Sequence, residues 1–145
     1  MELYSKLKKK NIDIKFIDIG GGLGIKYYDD DDPPSKKEFA SKIIDRIKGL
    51  DCNLILEPGR SLVGNSGYLL TSVLYEKQNY KKDFLIVDAG MNDLLRPSLY
   101  DAFHKIEEVN KNNGVRKKYN VVGPICETGD VLGKDVELPP LVKND

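Results

Sequence analysis

Two short apolar runs, Lys15–Ile19 and Asn53–Leu56, each stop abruptly, the first at Gly20-Gly21-Gly22 and the second at Glu57-Pro58-Gly59-Arg60. Between them lie a polar connector, Asp29 to Asp32 followed by Pro33 and Pro34, and one helical pattern. Ser35 with Glu38 three positions on is a capping-box pattern, which predicts a helix starting near Lys36. Phe39, Ala40, Ile43, Ile44, Ile47 and Leu50 repeat at helical spacing as one apolar face, and Gly49 is its stop signal. Strand, helix, strand over this distance is a βαβ unit, so its two strands run parallel. A parallel sheet must be covered on both faces by several such units. The sequence contains about one, so residues 1–61 are expected to be the tail of a larger α/β layer and not a domain in themselves.

The pattern changes near Leu62. Tyr68–Tyr75, Phe84–Val87, Phe103–Val109 and Tyr119–Val122 are strand-like and rich in Leu, Ile, Val and Tyr. Gln78-Asn79 before two lysines and Asn112-Asn113-Gly114 read as turns. Residues 62–145 are therefore expected to form most of an antiparallel β domain. Apolar residues at 40% and charged residues at 32% exclude wholesale disorder. Lys plus Arg and Asp plus Glu are both 23, so there is no excess of positive charge for a phosphate backbone, and no nucleic-acid partner is expected. The longest nearly apolar stretch, Tyr68–Tyr75, is too short to cross a bilayer, and the opening MELYSKLKKK lacks the apolar core of a signal peptide. Cys52 and Cys126 form neither a disulfide framework nor a zinc-ligand pattern. A cytoplasmic protein without membrane association or a metal site is expected.

Four segments carry candidate chemistry. Gly20-Gly21-Gly22-Leu23-Gly24, directly after a strand, lets backbone N–H groups approach an anion without Cβ interference. It lacks the Gly-Lys-Ser/Thr of a Walker loop and the spacing of a dinucleotide fingerprint, and a simple turn is the competing interpretation. Glu57-Pro58-Gly59-Arg60 ends the next strand, so both segments belong on the edge where parallel strands carry their site residues. Gly59 offers an amide, Arg60 a cationic fork, and Glu57 a carboxylate for a protonated ring nitrogen. In the third segment, Met91 to Tyr100, a helical turn would put Arg96 and Tyr100 on one face. In the fourth, Cys126-Glu127-Thr128-Gly129-Asp130, a thiol beside a carboxylate can donate a proton next to an ammonium-binding group. Cys52 is expected to be a small apolar filler. His104, the single histidine, lies in a strand-like segment and gives Ser-His-Asp or Cys-His schemes little support. Asp29 to Asp32 read as a solvated loop.

Taken in order, FIDIGGGLGI, LEPGRSLVGNSGYLLTSVLYEK, FLIVDAGMNDLLRPSLYDAFHKI and VVGPICETGDVLGKD closely resemble the diaminopimelate decarboxylases. These are pyridoxal-phosphate enzymes with an alanine-racemase-like (β/α)8 barrel followed by a β domain. The resemblance runs from about Ile14 to Pro139. It implies that Gly22, with Gly21 beside it, holds the cofactor phosphate, that Gly59 and Arg60 complete that site, and that Glu57 pairs with the pyridine nitrogen. It implies that Arg60, Arg96 and Tyr100 hold the substrate, chiefly its distal carboxylate, and that Glu127 suits its distal ammonium. Cys126 resembles the residue supplied across a homodimer interface to protonate the carbon that has lost carbon dioxide. The Cys-Glu pair favours diaminopimelate over ornithine, whose decarboxylases usually show Asp after the cysteine. An ornithine- or arginine-type decarboxylase of the same fold, or a non-catalytic remnant, is the alternative.

The family's Schiff-base lysine and the histidine that stacks on its cofactor lie upstream of anything matched here, and a tyrosine near the cofactor lies downstream. A complete (β/α)8 barrel takes about 250 residues. The chain is therefore expected to be a slice of an enzyme that, alone, neither folds robustly nor decarboxylates.

Overall fold

Ser35 and Glu38 make the cap that their spacing predicts. The Ser35 amide donates to Glu38 Oε2 at 2.8 Å and the Glu38 amide to Ser35 Oγ at 3.2 Å, at the start of a helix over Lys36–Ile47. Gly49, at φ +86°, turns the chain out of it. In this computed structural model, which describes residues 2–145, the chain divides into two units, Met1–Gly67 and Tyr68–Asp145.

The first unit runs α1 (Glu2–Lys9), β1 (Phe16–Asp18), α2 (Lys36–Ile47), β2 (Asn53–Ile55) and α3 (Arg60–Val63). β1 and β2 are parallel, with Phe16 opposite Asn53 and Asp18 opposite Ile55. The sequence reading did not anticipate α1. Its signal was Leu3 and Leu7 four apart, obscured by the lysines, with Glu2 and Lys6 paired at 2.5 Å on the outer side. None of the described residues of this unit is buried; Phe16 is 61% exposed and Ile44 57%. Leu7, Phe16, Phe39 and Ile43 line an open apolar groove. One βαβ unit supplies too few layers to cover its own apolar faces.

The second unit holds a four-stranded sheet in the order β3-β4-β5-β6, comprising β3 (Val73–Gln78), β4 (Asp83–Val87), β5 (Lys117–Val122) and β6 (Val131–Leu138), with α4 (Arg96–Tyr100) between β4 and β5. Val73, Leu85, Val87, Tyr119, Val121, Leu132 and Leu138 form its core, with Leu94 and Ile106 packed against it. The sheet is mixed and not antiparallel as expected, because β4 and β5 pair parallel, with Leu85 opposite Val121. Parallel neighbours need a long crossover, and residues 88–116 provide it. That crossover contains the expected strand Phe103–Val109, which belongs to neither sheet. Its inward positions alternate, with Ala102, His104, Ile106 and Glu108 half-buried, which gives the strand-like period. The edge of β4 that it would need is taken by β5. His104 therefore lies in the crossover and not in a strand. The expected strand from Tyr68 begins only at Val73, and β6, the longest strand, was not anticipated.

The hairpin between β3 and β4 follows its sequence signal, with Asn79 Oδ1 accepting from the amides of Lys81 and Lys82 at 3.1 and 2.9 Å. Ahead of β3, Asp88 Oδ1 takes the Thr71 hydroxyl at 2.6 Å and the Ser72 amide at 2.8 Å, which holds its carboxyl below the usual range. Burial, then the charge of Arg96, lowers the pKa of His104, whose Nε2 is enclosed with no hydrogen-bond partner among the described residues. Both shifts favour the deprotonated form in the folded state, so between the folded and unfolded pKa values the unfolded chain binds more protons. The stability due to neutral His104 is complete above pH about 6.5 and is lost as pH falls through its folded pKa. That due to ionised Asp88 is lost below pH about 4. Denaturation midpoints measured from pH 8 to pH 3 are expected to fall in these two windows. His104→Gln should remove the upper step and leave the lower. A pH-independent midpoint between 7 and 5 in the unsubstituted protein would contradict the assignment.

Candidate active site

The parallel pairing of β1 and β2 brings two of the candidate segments together. Pairing continues past the strands, with the Ile19 amide donating to Ile55 O at 3.2 Å and the Glu57 amide to Gly20 O at 2.8 Å. Gly20 and Gly22 take φ of +67° and +92°, in the left-handed region that side chains disfavour. A Cβ on Gly21 would come within 2.6 Å of the Glu57 carbonyl oxygen, so the glycine loop lies directly against the Glu57-Pro58 backbone. In front of Gly22 and Gly59 there is open space. The sequence reading missed Asp18, whose Oδ1 accepts from the Gly20 amide at 2.7 Å and starts the loop. Its signal was an aspartate two residues before a glycine, a local turn pattern.

This loop fits a phosphate. The Gly21 and Gly22 amides take no acceptor among the described residues, and no Cβ at 22 blocks the approach. Glu57 and Arg60 are both exposed on the adjoining turn. Arg60 opens α3, and its guanidinium lies 5.7 Å from the Tyr27 ring centroid, so it is held by that stacking.

In the second unit, Arg96 and Tyr100 stand on one face of α4, with the guanidinium 5.9 Å from the ring centroid. The Cys126–Asp130 loop connects β5 to β6, and Cys126 and Glu127 are exposed on it. Thr128 Oγ1 at 3.0 Å and the Gly129 amide at 3.3 Å donate to Glu127 Oε1 and lower its pKa, which keeps a carboxylate ready for a cation. The Ser98 hydroxyl donates to Gly129 O at 2.5 Å, tying α4 to this loop. Both cysteines are free thiols, and no group of three or more metal-ligating side chains occurs among the described residues. No helix among them is long and apolar enough to cross a membrane.

Residues 4–145 match the family described as pyridoxal-dependent decarboxylase, C-terminal sheet domain. The chain belongs to this family. Its mixed four-stranded sheet is the fold of that domain. The diaminopimelate decarboxylase of Aquifex aeolicus is 46% identical over 145 residues, which are 100% of this chain and 34% of the relative. That of Pseudomonas aeruginosa is 48% identical over 136 residues, covering 94% of this chain and 32% of the relative. The crystal structure of the Helicobacter pylori diaminopimelate decarboxylase complexed with L-lysine superposes with a TM-score of 0.88 at 44% identity, over 99% of this chain and 35% of that one. The pyridoxal-dependent decarboxylase segment described here thus spans about a third of the length of the relatives it matches.

Proposed function

We propose that this chain acts as the C-terminal third of a pyridoxal-phosphate-dependent decarboxylase that converts meso-diaminopimelate to L-lysine. The observation that carries the proposal is the contact between the glycine loop and the Glu57-Pro58 backbone at the ends of two parallel strands, within a chain 46% identical to a diaminopimelate decarboxylase along its whole length. The uncovered faces of the first unit support its reading as the last strands of a (β/α)8 barrel, completed by polypeptide that this chain does not supply.

In this reading the amides of Gly21, Gly22 and Gly59, with Arg60, hold the cofactor phosphate. The Glu57 carboxylate keeps the ring nitrogen protonated. When bound, pyridoxal phosphate supplies an electron sink at the reacting carbon. Arg60, Arg96 and Tyr100 bind the distal carboxylate of the substrate, and ionised Glu127 binds the distal ammonium. Cys126 Sγ, supplied across the interface of a homodimer, delivers a proton to the α-carbon that has lost carbon dioxide. No metal takes part, and the reaction belongs in the cytoplasm, where both thiols stay reduced.

The test is a hybrid enzyme in which this chain replaces the matching third of the Aquifex aeolicus decarboxylase. The hybrid is expected to prefer meso-diaminopimelate to L-ornithine by about 10²-fold or more in kcat/KM, because ornithine leaves the Arg96 guanidinium unpaired. Arg96→Ala should remove most of that preference by slowing the diaminopimelate reaction. Equal rates on both substrates, or faster turnover of ornithine, would overturn the substrate assignment.

A further inference from the structure

We infer that Asp130, with Ser98, is a positioning device that sets the Arg96–Tyr100 segment against the Cys126–Glu127 loop. The inference rests on the site assignment above but draws on different residues. Asp130 is only 3% exposed, and its two carboxylate oxygens are divided between two loops. Oδ1 accepts from the Met91 amide at 2.6 Å, and Oδ2 accepts from the Ile125 amide at 2.8 Å. Its own amide donates to Glu127 O at 3.0 Å, and its carbonyl accepts from the Gly123 amide at 3.1 Å. Met91 begins the segment that leads into α4, and Ile125 immediately precedes Cys126. One side chain therefore fixes both the backbone next to Cys126, which this chain offers across the homodimer interface, and the backbone leading to Arg96. Ser98 adds a second tie from the middle of α4 to Gly129 O.

The surroundings are shaped for a carboxylate. A Cβ on Gly123 would overlap both Asp130 oxygens, and one on Gly90 would lie 3.2 Å from Oδ1. The carboxylate thus occupies space that exists because positions 90 and 123 carry no side chain. Two N–H donors facing two oxygens also exclude an amide, because asparagine would accept one bond and aim its NH2 at the other N–H. Neither Asp130 nor Ser98 needs to touch the substrate for this role. A displacement of about 1 Å in groups that hold a reacting substrate costs on the order of 10²-fold in rate.

Asp130→Asn in the hybrid enzyme tests this, with amide hydrogen exchange and steady-state kinetics read on the same preparation. The expected result is a folded protein that retains its cofactor absorbance. Its Met91 or Ile125 amide should exchange at least about tenfold faster, and its kcat should fall about 10–100-fold with a smaller change in KM. Unchanged exchange at both amides, or unchanged kcat in a folded variant, would overturn the inference. If Asp130→Asn fails to fold, Ser98→Ala decides. A fall in kcat of about threefold or more with cofactor binding intact supports the brace, and an unchanged kcat refutes it. If the unsubstituted hybrid turns over no substrate, the site assignment fails, while the exchange rates of Met91 and Ile125 still decide whether Asp130 braces the two loops.

Discussion

Cys126→Ala in the hybrid enzyme is expected to lower kcat for meso-diaminopimelate by about 10²–10⁴-fold, the usual loss when a positioned general acid is removed. KM should change little, because the distal end of the substrate is assigned to Arg60, Arg96, Tyr100 and Glu127. The cofactor spectrum should not change, because its phosphate and ring nitrogen are assigned to Gly21, Gly22, Gly59, Arg60 and Glu57. The exposure of Cys126 on the loop between β5 and β6 makes substitution there structurally mild, so a loss of rate reports on chemistry and not on folding. Cys52→Ala is the matching control and should leave kcat as it is. A Cys126→Ala enzyme within about threefold of the unsubstituted rate would remove the proton-donor role.

The largest expected effect on stability comes from Gly123→Ala. The added methyl group would overlap the Asp130 carboxylate and come within 2.6 Å of Gly90 Cα. The obstacle is backbone on one side and a carboxylate with two fixed donors on the other, so neither yields cheaply. Overpacking of this kind costs about 1–3 kcal/mol, and the upper end is expected here because neither obstacle can move aside. Gly129→Ala, in the same loop, is the contrast. Its new Cβ meets nothing nearer than Glu127 Cγ at 4.0 Å, and its φ lies outside the left-handed region. A change within about 1 kcal/mol is expected there. Chemical denaturation of the two variants side by side checks the pair, and similar midpoints would show that the close approach of Gly90 and Gly123 is not a tight one.

The elements legible in the sequence were those whose signals are local. α2 was readable because Ser35, Glu38 and Gly49 mark its ends and its apolar residues repeat at one period. The parallel pairing of β1 and β2 followed from the single helix between them. β6 was not readable because Gly133, Lys134 and Asp135 interrupt its apolar alternation. The structure has a register irregularity where β5 pairs with β6, with Asp135 at φ +52° and its amide satisfied by the buried Asn120 side chain at 3.1 Å. A bulge of this sort breaks the period of two on which strand reading depends. The parallel step from β4 to β5 was hidden for another reason. The helix in its crossover, Arg96–Tyr100, is too short to show a helical period.

The candidate site divides along the same line. Its glycines, Glu57-Pro58-Gly59-Arg60 and the Cys126-Glu127 pair stand in contiguous motifs, and the resemblance to a known family adds to what each motif says alone. Asp130 and Ser98 gain their importance from partners 39 and 31 positions away, and no local pattern announces such pairings. Asp18 lies between these cases, since its partner, the Gly20 amide, is two residues on.

The most direct test of the central claim measures carbon dioxide released from meso-diaminopimelate in the presence of pyridoxal phosphate, by the 145-residue chain alone and by the hybrid enzyme. Release by the hybrid, with none from the isolated chain, is the predicted result, because the proposed roles of this chain's residues are to hold cofactor and substrate, and none of its lysines is assigned to the family's Schiff-base position. Release by the isolated chain, or a folded and cofactor-loaded hybrid that releases none, would contradict it.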